Sequence, residues 1–276
     1  MDVKMPVPVM EPVRVEVPRP RSGWSVEVKW DGVRLLAHRD GGEIRFYGRS
    51  GREYTPGLGD LAARVLAAVG PREAVLDGEL VAWAHEGPSF PDAVRALRGG
   101  RGQRITYEVF DLIGEDGSDL RALPWEARRR RIESCLDPGP VVHPTRVFPG
   151  EQAIEVYRAV EKLQLEGVVM KDRDSPYVGG KSRYWEKAKH DAEGVFRVGS
   201  WRRTPGGATL HLLDAGGRPV GAVSSGVDAD HITRLRALTG GQGGALPPGV
   251  EARVRFHGRT AAGRLRHPRL MGLLPQ

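Results

Sequence analysis

Alternation of apolar and polar positions dominates the first part of the chain. WSVEVKW (24–30) alternates and predicts a strand; LLAHRD (35–40) follows, and Gly41-Gly42 predicts a hairpin turn into EIRFYGRS (43–50). LGDLAARVLAAV (58–69) switches to helical spacing and stops at Gly70-Pro71. AVLDGELVAW (74–83) and ITYEVFDLI (105–113) are mostly apolar runs that predict buried strands. PWEARRRRIESCL (124–136) starts with a proline suited to a first helical turn, and its four consecutive arginines read as a solvated helix face. EQAIEVYRAVEKLQ (151–164) is an amphipathic helix, followed by strand-like EGVVMKD (166–172) and YWEKAK (184–189). Beyond these, GVFRVGSW, ATLHLLD, PVGAVSS and VEARVRFHG are short strands between glycine-rich turns, with one helix, DADHITRLRALT (228–239). That pattern suits a small barrel. Residues 1–22, with five prolines in the first twenty, read as an extended lead-in.

Composition adds limits to this picture. The 276 residues, 39% of them hydrophobic, suffice for two cores, so the expected class is α+β: antiparallel sheets with flanking helices, then a small β-barrel. The single cysteine, Cys135, excludes an intramolecular disulfide framework and a multi-cysteine zinc site, and suits a reducing, cytoplasmic setting. No apolar run approaches the ~18 residues a membrane helix needs, so no membrane partner is expected.

Charge divides the chain. Residues 1–191 hold 30 basic and 30 acidic side chains, whereas residues 192–276 hold 12 Arg, no Lys and 5 acidic residues, a net +7. The shift sets a domain boundary at Lys189-His190-Asp191 and suggests a polyanion partner for the tail; a merely solubilising surface is the alternative. Arginine outnumbers lysine 35 to 7, so each lysine raises the question of why arginine would not serve there.

Five clusters carry candidate chemistry. Glu27 and Lys29 share one face of a strand, and the reversal at Asp31-Gly32 returns Arg34 towards Lys29. A lysine among other cations can lose its proton near neutral pH and act as a nucleophile, which arginine cannot do. Asp77-Gly78-Glu79 places two carboxylates on one face of an apolar strand, where burial demands a cation or metal. Tyr107 to Asp111 adds Phe110; Glu166 to Lys171 opens with a carboxylate and closes with a lysine. Arg183 to Lys189 sets Lys187 and Lys189 on one face, where they repel unless an anion such as phosphate lies between them. Taken singly, each is compatible with an ordinary salt bridge or a core aromatic.

In this order and at these spacings the clusters resemble the nucleotidyltransferase motifs of ATP-dependent DNA ligases. Lys-x-Asp-Gly-x-Arg stands at 29–34, an arginine turn at 48–51, Asp-Gly-Glu at 77–79, and Phe-Asp at 110–111. Glu-Gly-Val-Val-Met-Lys follows at 166–171 and Trp-x-Lys-x-Lys at 185–189. The wording Glu-Val-Lys-Trp-Asp-Gly-Val-Arg is similar to the small bacterial ligases related to the ligase modules of end-joining enzymes. The resemblance implies three segments: the lead-in 1–22, an adenylation domain at 23–190, and an OB-fold DNA-binding domain at 191–276.

It also implies a chemistry and roles. Lys29 would be the nucleophile that takes AMP from ATP, with Mg²⁺ or Mn²⁺ held by Glu79 and Glu166. Glu27 would hold adenine through its backbone, and Phe110 would stack on the ring. Arg34 and Glu79 would hold ribose and the end of the substrate strand, and Arg49 would meet the 5′-phosphate of a nick. Arg183, Lys187 and Lys189 would neutralise the triphosphate, with Lys171 in the same ATP-binding set. Arg266 would orient pyrophosphate. The implied partners are nicked or broken duplex DNA, with end-joining polymerases or end-binding proteins, at the nucleoid.

Two departures stand out. Gly48 occupies a position where the family usually has serine, which implies a looser contact to the nick. After Leu265-Arg266-His267-Pro268 the sequence RLMGLLPQ replaces the family's further basic segment, which puts efficient self-adenylation in doubt. Rival readings are an RNA ligase or capping-type guanylyltransferase sharing the lysine chemistry, and a non-catalytic DNA-end-binding module. NAD dependence is disfavoured, because one cysteine leaves no zinc module of the NAD-type enzymes.

Overall fold

The computed structural model describes residues 3–85, 87–260 and 262–274, and the chain divides into two compact units, 1–189 and 190–276. The first unit holds two sheets. In the seven-stranded sheet the main path runs Glu43–Gly48, Val33–Asp40, Ala74–Ala84, Arg104–Glu115 and Ser118–Asp119, with Gly87–Pro88 and Val142–Pro144 paired alongside. The five-stranded sheet runs Met10–Val15, Gly180–Lys189, Gly167–Asp172, Trp24–Lys29 and Val147–Pro149. The hairpin at Gly41 has φ +60°, a left-handed turn that glycine adopts without penalty.

Helices Gly59–Val69 and Trp125–Cys135 cover the seven-stranded sheet, with Leu61, Val65, Ile132 and Cys135 joining Leu35, Leu76 and Val109 in one core. Helix Ala153–Lys162 covers the other sheet through Val156 and Val160 against Val26, Val168 and Met170. A third core brings residues of both sheets together, with Leu36, Val75 and Ile113 from one and Met10 and Trp185 from the other.

Two sequence expectations are corrected here. The lead-in is part of the fold: Val3, Val7, Val9 and Met10 are buried in the third core, and Met10–Val15 pairs in parallel with Gly180–Lys189. Prolines predict an extended segment, and this one includes an edge strand, where a missing donor is tolerated. The arginine run is not a uniformly solvated face. Successive helical residues are rotated by about 100°, so four in a row cannot all face water. Arg128 is fully buried and donates to both carboxylate oxygens of Asp111 at 2.8 and 3.0 Å, while Arg129 donates to the Thr145 carbonyl at 3.1 Å. Arg130 and Arg131 are the exposed members.

The second unit is a five-stranded barrel of OB type in the order Pro219–Val223, Gly207–Leu213, Ala192–Thr204, Glu251–Phe256, Arg269–Leu273, with Gly243–Ala245 added beside the long strand. Its ends meet where Leu270 donates to Ser225 and Leu265 to Val220, both at 2.8 Å. Phe196, Trp201, Leu210, Val254 and Leu270 fill the interior. Helix Ala229–Thr239 is capped by Asp228, which accepts from His231 N at 2.9 Å. Among the described residues no helix is long and apolar enough to cross a membrane.

Candidate active site

Register in the five-stranded sheet gathers the motifs. Lys29 pairs with Gly167, which pairs with Lys189; Glu27 pairs with Val169, which pairs with Lys187; Ser25 pairs with Lys171, which pairs with Trp185. Residues directly opposite on antiparallel strands point to the same side. One face therefore presents Lys29, Glu27, Lys171, Trp185, Lys187 and Lys189. From the other sheet come Arg34 and Glu79, themselves cross-strand partners, and Phe110. All of these except Lys189 line a cavity of about 510 Å³, whose wall also includes Glu11, Gly48, Arg49, Tyr54 and Phe90. That volume suits a small-molecule ligand.

Glu166 controls the charge at this face. Its Oε2 accepts from Lys29 Nζ at 2.5 Å and its Oε1 pairs with Lys189 Nζ at 2.5 Å. Gly167 lies between the two lysines and has φ +151°; a Cβ there would come within 2.1 Å of the Ala188 carbonyl oxygen. This close approach of backbones is why glycine follows Glu166. Lys189 thus has an anion of the protein itself, Glu166, as a neighbour.

The expectation that neighbouring cations depress the pKa of Lys29 is overturned. Burial works against its charge, but Glu166 and Glu79 prevail and raise its pKa above the ordinary lysine value. Depression falls instead on Lys187, through burial and the nearby ammonium groups of Lys29 and Lys189. Burial also drives Glu79 up to about 7, although Lys29 and Arg34 oppose the rise.

Beneath the cavity the buried charges are paired. Lys171, 1% exposed, pairs with Glu27 Oε2 at 2.8 Å and donates to the Phe110 carbonyl at 2.9 Å. It also lies 4.3 Å from the Trp185 ring centre. Burial lowers its pKa, against the pull of Glu27. Arg34 forks onto Asp77 at 2.9 and 2.5 Å and donates to the Met10 carbonyl at 2.6 Å, and Tyr177 donates to Asp77 at 2.7 Å. Lys171 and Arg34 were both expected among the ligand-binding cations; here their donors are engaged in holding the floor, because buried charges must be paired. Phe110 borders the cavity with its ring 5.2 Å from the Arg34 guanidinium.

Among the remaining expected residues, Arg49 is in the cavity wall. Arg49 reaches Glu11 at 3.6 Å. Arg183 is exposed and outside the cavity lining, and Arg266 belongs to the second unit. The missing serine at position 48 has a local cause: a Cβ on Gly48 would lie 2.8 Å from Tyr54 Cε2. Sequence reasoning missed Glu11, hidden in the supposed lead-in, and Tyr177, whose role follows only from a contact with Asp77 across 100 residues.

Among the described residues no group of three or more His, Cys, Asp or Glu side chains is arranged to hold a metal ion. The donor set still fits a magnesium-like ion, which takes one or two carboxylates and completes its shell with water and substrate phosphate. Glu79 and Glu166 both act on the charge of Lys29, and both offer hard oxygen donors.

Residues 17–189 match the model of the ATP dependent DNA ligase domain. The multifunctional non-homologous end joining protein LigD of Pseudomonas aeruginosa is 36% identical over 201 residues, covering 72% of this chain and 24% of that protein. Its counterpart from Mycolicibacterium smegmatis is 31% identical over 280 residues, covering 91% of this chain and 36% of that protein. The chain therefore spans only about a quarter to a third of these relatives. The crystal structure of the ligase domain from Mycobacterium tuberculosis LigD superposes with a TM-score of 0.59 at 27% identity, over 97% of this chain and 95% of that one. From motif order, cavity and family match alike, this chain belongs to the ATP-dependent DNA ligase family.

Proposed function

We propose that the chain joins a 5′-phosphate to a 3′-hydroxyl in duplex DNA through a lysyl-AMP intermediate. The observation that carries this reading is a cavity lined by Lys29, with Lys187 and Lys189 on the same face and Glu79 and Glu166 acting on the charge of Lys29. Lys29 Nζ, having given up a proton, attacks the α-phosphorus of ATP; the N–P bond forms as the P–O bond to pyrophosphate breaks. A 5′-phosphate oxygen of DNA then takes the adenylate, the N–P bond breaks, and the lysine regains its proton. Finally the 3′-hydroxyl attacks that 5′-phosphorus, AMP leaves, and the hydroxyl proton is released. Phosphoryl transfer of this kind depends on positioning and charge neutralisation more than on covalent chemistry by the protein.

Within this reading Lys187 and Lys189 neutralise the triphosphate, and Glu27 and Phe110 border the base. A divalent cation, Mg²⁺ or Mn²⁺, held by Glu79 and Glu166, would supply further neutralisation of the phosphates. Arg49 and the basic second unit, with Arg266, contact the polyanion. The second unit's +7 charge predicts DNA affinity that falls steeply with salt. Similarity to proteins named for non-homologous end joining supports a role in end joining, and a polymerase or an end-binding protein is the partner such a role would call for. The test is sealing of a 5′-labelled nicked duplex with ATP or GTP. Sealing with ATP alone supports the proposal. Sealing with GTP, preference for a nicked RNA duplex, or DNA binding without sealing would each replace it.

A further inference from the structure

The N-terminal edge strand brings an acid to the mouth of the cavity. Glu11 lines it together with Arg49 and Lys187, and its Oε2 is 3.6 Å from Arg49 Nη1. The Arg49 side chain is 70% exposed and that of Glu11 29%, so a solute can reach the pair. Separate contacts fix the strand on which Glu11 sits. The carbonyl of the preceding Met10 accepts from Arg34 at 2.6 Å, and Gly180 donates to Val9 at 2.9 Å. The turn carrying Arg49 is packed on the same segment: a Cβ on Gly51 would come within 2.9 Å of Pro6 Cγ. Glu11 also offsets the loss of basicity that burial, Lys29 and Lys189 impose on Lys187.

We propose that Glu11 is an internal stand-in for a substrate phosphate, holding Arg49 until a phosphate displaces it. The inference rests on the phosphoryl-transfer reading given above. A carboxylate carries one charge and two acceptor oxygens, whereas a terminal phosphate carries more of both. A phosphate can therefore win Arg49 from Glu11, and a hydroxyl end cannot. Glu11 therefore lowers affinity for phosphorylated ligands and leaves ligands that lack the group unaffected. The phosphate has two possible sources with one chemistry, ATP and the 5′ end of a DNA strand.

The test compares full-length Lys29→Arg protein, which cannot turn over, with the same protein also carrying Glu11→Gln. Binding is measured for ATP, for a nicked duplex with a 5′-phosphate, and for the same duplex with a 5′-hydroxyl. Glu11→Gln should tighten at least one phosphate ligand about 1.5- to 5-fold, the scale of an exposed ion pair. The 5′-hydroxyl nick should be unaffected. A gain for ATP assigns the nucleotide phosphate, and a gain for the phosphorylated nick assigns the DNA end. Glu11→Asp, which keeps the charge, should give less gain than Gln, and adding Arg49→Ala should abolish the gain. Equal tightening of both nicks, or no change in any ligand with the variant folded, would overturn the inference. If the Lys29→Arg parent binds neither ATP nor either nick, the phosphoryl-transfer reading fails and the inference falls with it.

Discussion

Lys29 Nζ and Glu166 Oε2 lie 2.5 Å apart, so the amine we propose as the nucleophile is held as an ammonium by a neighbouring carboxylate. Burial disfavours that charge, but Glu166 and Glu79 overcome it and the pKa is raised. An attacking amine must be neutral, so self-adenylation should accelerate as pH rises above neutrality. Glu166→Gln removes the largest influence holding the proton, and the pH profile of AMP labelling should move to lower pH even if its maximum falls. An unmoved profile would show that Glu166 does not govern the lysine.

Lys187 and Lys189 should matter to ATP rather than to folding. Either change to Ala should cut labelling by about 10²-fold or more, the scale of losing a group that stabilises developing charge. Circular dichroism and gel filtration should be unchanged. Normal labelling with poor solubility would instead assign both lysines to the surface.

The buried pair Arg128–Asp111, with both side chains 0% exposed, makes a stability prediction. Removing one partner strands a charge, so Arg128→Ala should cost about 3–5 kcal/mol in urea denaturation. Arg130→Ala, two residues away and exposed, should stay within about 0.5 kcal/mol.

Cys135 should be inert in the folded protein. It is 3% exposed, and burial followed by the charge of Glu115 pushes its thiol up to about 11. At pH 8 about one thiol in a thousand would be thiolate. Alkylation by iodoacetamide should be negligible in buffer and complete in urea; rapid reaction in buffer would contradict this burial.

These tests separate what sequence patterns can and cannot carry. Strand and helix positions such as Trp24–Lys29 and Ala153–Lys162 were legible because burial repeats with a fixed period along each element. The lysines of the cavity were legible because arginine so outnumbers lysine and the motifs run in order. Which partner each charge takes was not. Lys171 finds Glu27, Arg34 finds Asp77 and Tyr177, and Arg128 finds Asp111, all through tertiary packing that leaves no local signal. The same limit reversed the expectation for Lys29, since its cationic neighbours are visible in sequence but the reach of Glu166 between two strands is not. The Pro-rich start concealed an edge strand for a similar reason: its partner lies some 170 residues away in sequence.

The central claim is that Lys29 carries the adenylate, and intact-mass and peptide mass spectrometry of the purified full-length chain tests it most directly. Incubated with ATP and Mg²⁺ or Mn²⁺, the protein should gain the mass of one adenylate on the peptide containing Lys29, and acid or added pyrophosphate should remove it. Lys29→Arg should show no adduct, because a guanidinium stays protonated and cannot attack. An adduct that survives Lys29→Arg, or one that maps to another lysine, would contradict the account.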